Sequence, residues 1–136
     1  MPAFLFVLLS AAIPLNAAVL WGVRGGFTDG QAMFGADVAI PIGHGFVFNP
    51  GVEVSKDLIS TNADFHYDVS ISRDAAFWVG AGAALINPEG QDLDGGVNLL
   101  VGLATRRGRA ILYTQAKATR PSSYDSYTTF AVGIRF

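Results

Sequence analysis

Residues 128–136, TTFAVGIRF, set a large apolar side chain at every second position: Phe130, Val132, Ile134 and Phe136. Thr129, Ala131, Gly133 and Arg135 fill the places between them. Alternate side chains of a β-strand point to opposite faces. The segment therefore has one apolar face and one that is small, polar and charged. A chain made of such segments must hide one face of each, and its fold depends on which face is hidden and from what solvent.

The same alternation runs through the chain. In the clearest case Phe65, Tyr67, Val69 and Ile71 interleave with Asp64, His66, Asp68, Ser70 and Ser72. Further apolar rows are Val19, Trp21 and Val23; Phe34, Ala36, Val38 and Ile40; and Phe46, Phe48, Val52 and Val54. Two more are Phe77, Val79, Ala81, Ala83 and Leu85, and Val97, Leu99, Val101 and Leu103. Segment 109–119 is less decided: Leu112, Thr114, Ala116 and Ala118 oppose Ile111, Tyr113, Gln115 and Lys117. With the final segment, this pattern predicts eight strands. The connections form two sets that alternate in chain order. Tight pieces fall at 41–45, 73–74 and 106–108, and longer polar ones at 28–32, 56–61, 87–96 and 120–126. Short turns on one side and longer loops on the other suit an up-and-down barrel.

Residues 3–13 form an apolar run broken only by Ser10, followed by Pro14 and the small residues Ala17 and Ala18. A bilayer span needs about 20 apolar residues. The run reads instead as a secretory signal peptide over 1–17, without the usual preceding Lys or Arg. Residues 18–136 then make a single domain. With no cysteine, neither disulfides nor thiolate metal sites can contribute. A net charge of −2 argues against a nucleic-acid partner. Mean hydropathy is +0.38, high for a water-soluble domain, yet no segment after the leader is long and apolar enough for a membrane helix. A membrane protein without membrane helices must be a closed barrel.

These features resemble the small eight-stranded outer-membrane barrels of the OmpX and OmpA membrane-domain type. The last strand is similar to the C-terminal strand of such barrels, where a terminal Phe after alternating apolar residues is read by the assembly machinery. The resemblance implies that role for Phe130, Val132, Ile134 and Phe136. The expected fold is all-β: an eight-stranded antiparallel up-and-down transmembrane β-barrel in a bacterial outer membrane. Its expected partners are outer-membrane lipid, including lipopolysaccharide, and the barrel assembly machinery during insertion. It is expected to be monomeric and to hold no cofactor or metal.

With the apolar rows toward lipid, Arg24, Asp37, Glu53, Asp64, His66, Asp68, Lys117 and Arg135 fall on the other face. Asn49, Asn98, Gln115 and several glycines share it. An eight-stranded barrel is only wide enough for its own side chains, so these groups are expected to pair and plug the lumen. Arg24 and Arg135, neighbours where the barrel closes, are expected to meet Glu53 and Asp68 across the bore. Trp21, Phe27, Phe34, Phe46, Phe65, Tyr127 and Phe136 are placed toward strand ends, as interfacial girdles require.

The expected function is non-enzymatic, structural or interaction-type, with two alternatives. One is a soluble lipocalin-like lipid carrier, with the same rows turned inward; charged residues are only 15% of the chain, few for its surface. The other is a lipid A-modifying enzyme of deacylase or acyltransferase type. His66, Asp68 and Ser70 share one face of a strand, as a base and nucleophile would. That face is the expected lumen, whereas such an enzyme meets its lipid at the outer surface. Asp68 also stands where the deacylase pattern has Ser, so a buried polar network is the better reading. Asp92, Asp94 and Gly95 resemble part of a calcium loop but lack its downstream Glu, leaving a solvated loop. Arg106, Arg107 and Arg109 crowd one turn, where anionic lipid heads, a periplasmic partner or plain solvation would all suit them.

Overall fold

The computed structural model describes residues 19–136; the signal peptide expected over 1–17 lies outside the described residues. Eight strands follow one another: β1 (Leu20–Thr28), β2 (Gln31–Gly43), β3 (Phe46–Ser55), β4 (Leu58–Ser72), β5 (Ala75–Pro88), β6 (Asp94–Arg107), β7 (Ala110–Pro121) and β8 (Tyr127–Arg135). Each pairs antiparallel with its neighbours in sequence, and β8 pairs back onto β1 to close the barrel. At the seam Trp21 and Phe136 exchange both backbone hydrogen bonds, each 2.9 Å. Closure leaves no unpaired edge.

Two of the connections expected to be long are tight. Residues 29–30 and 56–57 each join their strands in two residues. Asp29 and Gly30 both have positive φ (49° and 79°), as do His44 and Gly45 (58° and 85°), the geometry of a type I′ hairpin turn. The polar residues that suggested loops there, Thr28 and Ser60, belong to strands and are buried. A barrel with a polar interior takes polar residues in its strands, so polarity alone does not mark a loop. The longer connections, 89–93 and 122–126, lie at the end opposite Leu20 and Phe136, which mark the terminal end of the barrel. They are tied together by the Tyr124 hydroxyl donating to the Asp92 carbonyl (2.8 Å) and the Ser123 N–H to Asp94 Oδ2 (2.8 Å). The terminal end carries the turns at 44–45, 73–74 and 108–109.

The packing is inside out relative to a water-soluble protein. Phe34 is 72% and Leu99 67% exposed, while Asp64 and Lys117 are each 1% exposed. Outward aromatics pair across strands, with ring centroids 5.0 Å apart for Phe46–Tyr67 and 4.8 Å for Phe48–Phe65. Two aromatics depart from the expected girdle. Phe65 lies in the middle of β4, and Tyr127 shares the inward face of β8 with Thr129, Ala131 and Arg135, its hydroxyl buried.

Inside, large residues and glycines alternate along the rows of paired residues. Gly22 lies between Asp37 and Arg135; Gly35 lies between Arg24 and Glu53; Gly102 lies between Trp78 and Gln115. Each glycine leaves the space that its neighbours fill. A Cβ on Gly102 would overlap the Trp78 indole, and one on Gly133 the Tyr113 ring.

Gly102→Ala is therefore expected to destabilise the barrel by about 1–3 kcal/mol through overpacking. Gly95→Ala, where an added Cβ meets open space, should be close to neutral. The urea midpoint for loss of heat-modifiable gel mobility in detergent checks both.

Candidate functional site: the polar lumen

Alternation alone places these side chains, because every inward position on a strand has the same parity. Arg24, Asp37, Glu53, Asp64, Lys117 and Arg135 are all buried within the bore, three cations facing three carboxylates. They form two linked groups.

Asp37 is the centre of the group nearer the termini. Its Oδ2 accepts from Arg24 Nη1 (2.9 Å), Arg135 Nη2 (3.2 Å) and the Tyr113 hydroxyl (3.3 Å). Arg135 also donates to Asn49 Oδ1 (3.3 Å), and Asn49 Nδ2 donates to the Val38 carbonyl (2.8 Å). Its guanidinium sits 4.3 Å above the Tyr113 ring centroid and 5.2 Å from that of Trp78, within cation–π range. Arg135 can reach Asp37 because Gly22 lies between them on the ladder without a side chain.

Lys117 is the centre of the second group. Its ammonium lies 2.8 Å from Asp64 Oδ2 and 3.3 Å from Glu53 Oε1. Asn62 Nδ2 donates to Glu53 Oε1 (3.0 Å), and Asn98 Nδ2 lies 2.8 Å from both Asn62 Oδ1 and Asp64 Oδ1. Thr119 donates to Asn98 Oδ1 at 2.8 Å. The two groups meet where Arg24 Nε approaches Glu53 Oε2 at 3.4 Å.

The pairing differs from the sequence expectation. Arg24 does meet Glu53, but Arg135 meets neither expected partner; both arginines pair with Asp37, from the strand next to the seam. Asp68 is instead bonded to His66, Nδ1 to Oδ1 at 2.8 Å, near the terminal mouth; its side chain is 41% exposed. Tyr113, Asn62, Ser60 and Thr119 are the network members the sequence reading did not single out. Their parity, shared with Gln115, Asp64 and Lys117, was the available signal.

His66 is 2% exposed and stacks on Trp78, centroids 5.0 Å apart. Ser70 lies four residues further along the same strand, about 13 Å at the rise of an extended chain. With Asp68 between them, His66 has no geometry for activating Ser70, and both face the bore rather than the outer surface. Among the described residues no cluster of His, Asp and Glu has the arrangement of a metal site.

The bore opens at the terminal end into a basin of about 220 Å³ whose floor includes His66, Trp78 and Arg135. Toward the other end, the void lined by Glu53, Ser60 and Tyr127 is only about 10 Å³, room for about one water. Between basin and void lie the two ionic groups.

No protein-family model matches the chain, and no curated protein matches it in sequence. Solved structures do match in fold. The N-terminal β-barrel domain of Pseudomonas aeruginosa OprF aligns with a TM-score of 0.75 at 15% identity, covering 89% of this chain and 98% of that one. Neisserial surface protein A (NspA) aligns at 0.68 and 12% identity, covering 88% and 97%. The outer-membrane enzyme PagL aligns at 0.64 and 11% identity, covering 88% and 99%. The chain thus has the fold of small bacterial outer-membrane barrels, a fold that serves a surface protein and an enzyme alike.

Asp37→Ala is expected to be the most damaging single change in the lumen. It leaves Arg135 with no carboxylate and Arg24 with Glu53 alone, and an unpaired buried charge costs on the order of 3–5 kcal/mol. Equilibrium unfolding in detergent should show this loss, with Asp68→Ala, which removes a half-exposed carboxylate, costing far less.

Proposed function

We propose that the protein is a non-enzymatic outer-membrane barrel, structural or interaction-type, whose lumen is plugged by its own side chains. The observation that carries this reading is the pairing of an outward apolar belt with an inward, charge-balanced ionic network. A soluble lipid carrier needs the reverse, an apolar cavity inside. An enzyme acting on membrane lipid needs polar groups reachable from outside the barrel, and the His66 row lies within.

In barrels of this kind short turns face the periplasm and longer loops the outside. The chain termini and the turns at 44–45, 73–74 and 108–109 are then periplasmic, and 89–93 and 122–126 form the outer surface. Residues 1–17 act as an export leader in this reading, and 18–136 enter the membrane as one monomeric barrel. The last strand hands the chain to the assembly machinery through Phe130, Val132, Ile134 and Phe136. Lipid, including lipopolysaccharide on the outer side, covers the belt.

Two experiments test this. The mature chain should fold only with detergent or lipid present; stable monomeric refolding in plain buffer would reject the membrane reading. In planar bilayers, conductance should be small or absent. Glu53→Ala, which removes a partner of both Arg24 and Lys117, should be less stable and is the variant expected to admit a narrow water path. Large steady single-channel currents from the unmodified protein would overturn the plugged lumen.

A further inference from the structure

The described charges are not shared evenly between the two ends. At the end carrying the longer connections, Asp29, Asp57, Glu89, Asp92, Asp94 and Asp125 outnumber Lys56 and Arg120. At the terminal end, Arg73, Arg106, Arg107 and Arg109 outnumber Asp68 and Asp74. The four arginines are close in the fold. The Arg106 N–H donates to the Asp74 carbonyl (2.7 Å) and Ala75 pairs with Thr105, which sets the turn at 73–74 beside the one at 108–109.

We propose that Arg73, Arg106, Arg107 and Arg109 form a binding site for the phosphate headgroups of anionic phospholipids in the leaflet around the terminal end. The proposal rests on the membrane orientation given above. All four side chains are exposed, and none makes an ion pair among the described residues. Of the two nearby carboxylates, Asp68 is already bonded to His66.

Their position selects a lipid. Arg107 continues the outward row of Leu103 and Thr105 on β6, and the exposed apolar side chains Ile71, Phe77, Leu103 and Leu112 border the same turns. The arginines therefore stand at the edge of the apolar belt, where their aliphatic stems can lie on it and their guanidiniums reach the phosphate layer. A guanidinium binds phosphate through two parallel hydrogen bonds. Arg73 and Arg106 edge the mouth basin, but Arg107 and Arg109 lie outside it, so the cluster follows the belt rather than the bore.

The test uses the mature barrel folded in vesicles of equal parts phosphatidylethanolamine and phosphatidylglycerol, with retained lipid counted by native mass spectrometry. Phosphatidylglycerol should be retained preferentially, and less so as salt rises from 50 to about 500 mM. A basic residue at an anionic surface contributes about fivefold. Replacing all four arginines by Gln should therefore lower the preference at least about tenfold. Lys56→Gln with Arg120→Gln, at the other end, should leave it unchanged. Heat-modifiable mobility verifies that each variant is folded. Equal retention of the two lipids by the unmodified barrel, or an unchanged preference in the quadruple variant, overturns the proposal. Release of the lipid by excess inorganic phosphate would overturn the lipid assignment in favour of a free anion. None of these outcomes bears on refolding in buffer or on conductance, so the plugged-barrel reading stands or falls separately.

Discussion

Burying charge in a narrow bore is the constraint on which the rest of the structure depends. Once the apolar rows face outward, every polar residue of the opposite parity enters a space with room for side chains and little else. Removing a charged group from water costs several kcal/mol unless partners compensate. Three cations and three carboxylates meet that requirement only because they come within hydrogen-bond range of one another. The glycines make this possible. Asp37 and Arg135 sit on either side of Gly22, and Arg24 lies between Gly35 and Gly133, so long side chains reach over positions that have none. The network and the glycine pattern are one solution, since filling either glycine row would push the charges apart.

The aromatic layer extends the same solution toward the termini. Trp78, Tyr113 and Leu100 are the apolar cluster of the interior, yet Trp78 still donates to Gln115 Oε1 (3.2 Å) and Tyr113 to Asp37. Both rings also lie beneath the Arg135 guanidinium. Apolar bulk here excludes water beside the ionic centre, which strengthens the pairs it surrounds. His66, stacked on Trp78, shares the floor of the basin with it.

Strand parity was readable in the sequence because it needs only a period of two. It placed Arg24, Asp37, Glu53, Asp64, Lys117 and Arg135 on one face without any knowledge of three-dimensional contacts. Which of them would touch was not readable. In a closed barrel the strands tilt, and the rows of paired residues climb as they pass around it, so a partner across the bore cannot be inferred from strand number alone. Strand number alone matches Asp68 to the seam, but its height on β4 puts it at the mouth. The loops misled for a related reason. Thr28 and Ser60 look like loop residues by the rules for soluble proteins, but in a barrel with a polar interior the same chemistry fills strands.

A charge-balanced lumen also determines where this molecule can act on its surroundings. With the inner charges paired, the bore contributes little long-range field, and the net −2 of the chain resides mainly on the rims. The rims are separated by a hydrocarbon layer of about 30 Å, several times the screening length of about 8 Å in physiological salt. Each therefore meets its own leaflet and solution independently of the other, one acidic and the other rich in unpaired arginine. The same fold in NspA and PagL serves unlike ends, so the fold cannot decide the role. In a barrel whose interior is committed to holding itself together, specificity is left to the rims and to the belt.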